Sequence, residues 1–169
     1  MNRSVHLRPD ELSHLIVEAA VTADEQGFWH EPRPIAEDAV QHLVRFLGVL
    51  LAGDDDVDLH ELRVFGDVFA AASGERPSEH ELREAAMEAV EMASDPDALH
   101  EFLATTPPFL DAVLAMDRAR GTRNADQVVT ALSGLGLAVL AADGRAELEE
   151  ESVFTIHLNH LRGEVETLG

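Results

Sequence analysis

Apolar residues along this chain recur at three- and four-residue spacing, and no run keeps the two-residue rhythm of a strand. The pattern predicts an all-α protein of about eight helices joined by short turns. A first helix is expected over about residues 10–26, stopped by Gly27, with Phe28 and Trp29 folding back on the core. His30–Pro34 reads as a connector, and a second helix follows from about Pro34 to Gly53. Asp58 with Glu61 makes a capping box for a third helix reaching about Ser73, and Ser78 with Glu81 repeats it for a fourth reaching about Ala93. Asp95–Pro96 and Thr106–Pro107 each place a proline where a helix begins. Asn124 and Gln127 are read as caps of a long helix ending at Ala142, and a last helix is expected over about 148–167.

The core faces follow from the same spacing. Val40, Leu43, Val44, Leu47, Leu50 and Leu51 form one stripe; Leu62, Phe65, Val68 and Phe69 form another; Phe154, Leu158, Leu161, Val165 and Leu168 form a third. The segment Val128–Ala142 is apolar nearly all round, which predicts a central, buried helix. Gly134 and Gly136 inside it cost roughly 1 kcal/mol each relative to alanine, so a neighbouring helix is expected to approach closely there.

The chain also repeats itself. VLLAGDDDVDLHELRVF at 49–65 aligns without a gap on AVLAADGRAELEEESVF at 138–154, an offset of 89 residues with seven of 17 positions identical. Each copy is an apolar helical run, an acidic turn and a second amphipathic run. Asp54, Asp58 and Glu61 in the first copy match Asp143, Glu147 and Glu150 in the second. Two duplicated hairpins are expected, about 35–73 and 125–167, inside one domain spanning 1–169. Glu61 and Glu150 fall in the first turn of a helix, where an anion is favoured, and capping explains them. Asp54 and Asp143 fall at the C-terminal end of a helix, where the dipole disfavours an anion by roughly 0.3–1 kcal/mol. Asp54, Asp55, Asp56 and Asp58 crowd one turn, an arrangement that a divalent cation would relieve, because hard cations take carboxylate and carbonyl oxygens. Two readings stand: a Ca²⁺, Mg²⁺ or Mn²⁺ site, or caps beside a solvated loop. The turns are not EF-hands, since Leu59 stands where glycine is needed and Phe65 where the closing glutamate is needed.

The pattern in LAADGRAELEEESVF (140–154), together with Pro108-Phe-Leu110 and Asp117…Gly121-Thr122, resembles the TerB-like domains associated with tellurite resistance. The likeness covers roughly residues 35–167 and departs at Asp55, where the family carries glycine. It implies a helical bundle with internal two-fold pseudosymmetry, metal-binding acidic turns at Asp54 and Glu61 and at Asp143 and Glu150, and a non-enzymatic role in a stress response near the membrane.

Composition narrows the field. Against 33 acidic residues stand 12 basic ones, all arginine, for a net charge of −21, so nucleic-acid binding is not expected. The absence of cysteine removes thiolate metal sites, disulfides and thiol nucleophiles. No apolar leader or spanning segment is visible, which predicts a cytoplasmic protein associating with a membrane only peripherally, if at all. Four His-Glu pairs occur, but none completes H-E-x-x-H. His157 and His160 lie three apart and fit either a shared metal or satisfied core histidines; Glu11 and His14 make one Glu-x-x-His pair without a second. With no recognisable nucleophile setting, an enzyme is not expected. Besides cation binding, the alternative is a metal-free scaffold whose apolar groove receives a partner helix.

Overall fold

A computed structural model describes residues 8–51, 63, 66–67, 69–70, 74–142 and 148–166. Among these residues there is no strand, and seven helices have defined bounds: α1 Pro9–Glu25, α2 Ile35–Leu51, α3 Glu79–Ala93, α4 Pro96–Ala104, α5 Pro108–Arg120, α6 Asn124–Ala142 and α7 Leu148–Glu166. The expected third helix falls mostly outside the described residues; Arg63, Gly66, Asp67, Phe69 and Ala70 are helical.

Local signals place most helix ends. Ser78 accepts from the Glu81 amide while the Glu81 carboxylate accepts from the Ser78 amide, so the predicted capping box starts α3. Asp95 accepts from the Asp97 and Ala98 amides and Pro96 opens α4. Two expected caps differ. At α5, Pro107 is the capping residue and Pro108 the first helical one, which frees Thr106 for a contact elsewhere. At α6, Asn124 is the first helical residue rather than its cap, and the cap comes from α5.

One hydrophobic cluster joins the helices, with Ile16, Leu43, Phe46, Leu47, Phe109, Leu110, Leu132, Leu135, Leu158 and Leu161 among its buried members. Phe28 and Trp29 pack against it as expected, and the Trp29 indole N–H donates to the Arg33 carbonyl at 2.7 Å. α6 packs on α1, α5 and α7 and touches α2, the position expected of a helix apolar on most sides. Leu137 departs from that expectation and is exposed. Of the two glycines in α6, Gly134 has the predicted cause: a methyl group there would meet Leu12 Cδ1 of α1 at 2.9 Å.

A tighter approach occurs between α2 and α3. A Cβ on Gly48 would lie 2.1 Å from the Ala89 Cβ, so α3 can cross α2 only where α2 lacks a side chain. Gly48→Ala is therefore expected to lower stability by about 1–3 kcal/mol through overpacking, despite the better helix propensity of alanine. Adding Ala89→Gly should recover most of the loss. Urea unfolding of the single and double variants checks this; a Gly48→Ala protein as stable as wild type would contradict the crossing.

Candidate functional site

Of the six proposed cation ligands, Asp54, Asp58, Glu61, Asp143 and Glu147 lie outside the described residues; Glu150 falls within α7, and its side chain is not described. Among the described residues, no three metal-ligating side chains converge. The helices leading into the two turns, α2 and α6, touch each other in the core.

Among the described residues two other carboxylates, Asp38 and Asp117, are buried, and each serves the start of a neighbouring helix. Asp38 on α2 is 5% exposed, accepts from the Phe109 amide of α5 at 2.9 Å and pairs with the Arg33 guanidinium. Asp117 on α5 is 4% exposed and gathers a fuller set of donors. Its Oδ1 accepts from the Thr122 hydroxyl at 2.6 Å, the Asn124 amide at 3.0 Å and the Asn124 side chain at 3.1 Å. Its Oδ2 accepts from the Ala125 amide at 2.7 Å. Gly121, in the left-handed region at φ 68°, reverses the chain so that these donors face back toward α5. The Asp117…Gly121-Thr122 motif is thus a helix junction: a buried anion held by the positive end of α6.

The histidines of α7 have separate hydrogen-bond partners. His160 Nε2 meets the Thr106 hydroxyl at 3.2 Å. His157, fully buried, has Nδ1 3.2 Å from the Leu103 carbonyl and Nε2 3.4 Å from Nε2 of His42. His42 is 7% exposed and belongs to no motif or metal-ligand spacing in the sequence. It sits on the buried face of α2, four residues after Asp38 and four before Phe46, so a polar ring on an apolar stripe was the available signal.

The partners fix the protons. A carbonyl only accepts, so His157 carries its hydrogen on Nδ1 and satisfies a carbonyl that the C-terminal turn of α4 leaves free. Its Nε2 is then an acceptor, and His42 must donate from its own Nε2. The His42 Nδ1 is left as a bare acceptor. Around the pair, Phe102 stacks on His42 and His157 at centroid distances of 5.4 and 5.1 Å, while Phe109 and Phe46 lie 5.8 and 6.4 Å from the His42 ring. Burial in this aromatic box, with His157 and then Arg45 disfavouring a further positive charge, lowers the His42 pKa to about 3. Burial likewise lowers that of His157, against the raising effect of the Leu103 carbonyl.

His42 also lines a cleft of about 520 Å³ between α2, α3, α4 and the start of α5. It is lined by Arg33, Asp38, Gln41 and Arg45 in and before α2, by Met92 of α3, and by Glu101, Phe102 and Thr105 in and after α4. No helix among the described residues is long and apolar enough to cross a membrane. Comparison with protein-family models, with curated proteins and with solved structures returns no match for this chain.

Proposed function

We propose that this chain is a non-enzymatic, TerB-like accessory domain of a stress or metal response that binds divalent cations at its two acidic turns. The observation that carries the reading is the gapless repeat of apolar helix, acidic turn and amphipathic helix at an offset of 89 residues. Each turn follows the C-terminal end of a core helix, where free carbonyls and the negative end of the helix dipole add to the charge of the aspartates. A cation reverses the sign of that repulsion, with Asp54, Asp58 and Glu61 as ligands in one turn and Asp143, Glu147 and Glu150 in the other. Oxygen-only ligands suit Ca²⁺, Mg²⁺ or Mn²⁺.

Titration calorimetry with these three ions tests the reading. Wild type should bind at least one of them with saturation below about 1 mM, and Asp143→Ala should remove the second turn's share of the heat. A flat titration, together with a melting temperature indifferent to chelator, would leave the metal-free scaffold in its place.

A further inference from the structure

His42 is more than nine-tenths buried, yet one of its nitrogens has no partner among the described residues. Nε2 is taken by His157, and no buried side-chain nitrogen or oxygen among the described residues lacks a hydrogen bond. The unbonded Nδ1 must therefore reach open space, and the space that His42 lines is the cleft. Chain geometry then runs Leu103 carbonyl, His157, His42, cleft, with the acceptor end facing outward.

The walls carry two opposite charges that form no ion pair among the described residues. Arg33 and Asp38 neutralise each other. Arg45, one turn beyond His42 on α2, and Glu101, on α4, form no ion pair within the described structure, although both line the cleft. Phe102 and Met92 add apolar lining to the same cleft. A lone cation would be repelled by Arg45 and a lone anion by Glu101. A ligand carrying both charges satisfies both walls.

We infer that this cleft binds a zwitterionic amino acid with an apolar side chain, its carboxylate on Arg45, its ammonium shared by Glu101 and the His42 Nδ1, and its side chain against Phe102 and Met92. The volume falls in the range of small-molecule sites, and a few placed polar groups on an apolar lining are their usual make-up. A neutral imidazole nitrogen is the right partner for an ammonium, since it accepts without adding charge. The site uses none of the residues of the acidic turns, so it stands or falls separately from cation binding.

The test uses the full chain and three probes: L-phenylalanine, 3-phenylpropionate, which lacks the ammonium, and 2-phenylethylamine, which lacks the carboxylate. Calorimetry should show phenylalanine binding at least about tenfold more tightly than either analogue. Arg45→Gln should erase the advantage over phenylethylamine, and Glu101→Gln the advantage over phenylpropionate; both positions are exposed, so folding is preserved. The ¹⁵N resonance of the His42 Nδ1 should move toward that of a hydrogen-bonded nitrogen on addition of phenylalanine. Equal affinities for the three probes, no heat with phenylalanine at about 10 mM, or an unmoved Nδ1 resonance at saturation would each overturn the assignment.

Discussion

Asp117→Ala is expected to cost about 3 kcal/mol of unfolding free energy, among the larger effects any single side-chain removal should have here. The carboxylate does not merely contribute bonds of its own. It is the acceptor for the Thr122 hydroxyl, for both nitrogens of Asn124 and for the Ala125 amide. Removing it strands the donors at the start of α6, and the Ala125 site is buried, so water cannot replace the lost oxygen without opening the junction. The dipole of α6 loses its counter-charge at the same time. Asp117→Asn keeps one acceptor oxygen and should lose roughly half as much. Urea unfolding measures both, and hydrogen exchange supplies the local signature: the Asn124 and Ala125 amides should exchange faster in Asp117→Ala before the rest of the core does. A loss below about 1 kcal/mol would mean that the junction is held by the Gly121 turn and the apolar contacts alone.

Asp117 also shows where sequence reasoning stops. Its relation to Gly121 and Thr122 was visible as a motif, but its chemistry is tertiary, because the carboxylate caps the next helix instead of extending its own. Caps formed within one turn of chain were legible: Ser78 with Glu81 and Asp95 with Pro96 act where their spacing placed them. Asp38 capping α5 from α2 spans 71 residues, and no local pattern encodes it. The shift from Thr106 to Pro107 at α5 has the same origin. The Thr106 hydroxyl serves His160 across the bundle, and the helix begins one residue later.

Periodicity was informative about faces and silent about which faces meet. It placed Leu43, Leu47, Leu158 and Leu161 in the core and required a close neighbour at Gly134, all of which the packing bears out. It could not pair His42 with His157, which are 115 residues apart in sequence. Of the two readings open for His157 and His160, satisfied histidines match the contacts. The acidic turns, which the repeat marked most clearly, lie outside the described residues, so the cation proposal continues to rest on sequence and electrostatics.

Acid should act on this protein through His42 with a sign that its overall charge would not suggest. Most of the 33 carboxylates repel one another, so protonating them on approach to the isoelectric point near 4.5 relieves strain and favours the folded state. His42 works in the opposite direction. Unfolded, it takes up a proton as pH falls below 6.5; folded, it stays neutral down to about 3. Between those values the unfolded chain binds the extra proton, so this contribution to stability is complete above pH 6.5 and is lost progressively as pH falls toward 3. At pH 4 the loss is on the order of 3 kcal/mol, larger if His157 titrates with it. Charge relief over the whole surface could mask the change in wild type alone, so the comparison is with His42→Gln, whose side-chain amide can still donate to His157 but does not titrate. The difference in unfolding free energy between the two proteins should shift by several kcal/mol in favour of the variant between pH 6.5 and pH 4. Parallel curves would show that His42 is already protonated in the folded state or open to water. Because the folded ring resists protonation down to about pH 3, its acceptor toward the cleft persists while the core loses stability. The share of phenylalanine binding that His42 supplies should therefore not follow the stability profile and should fall only near pH 3.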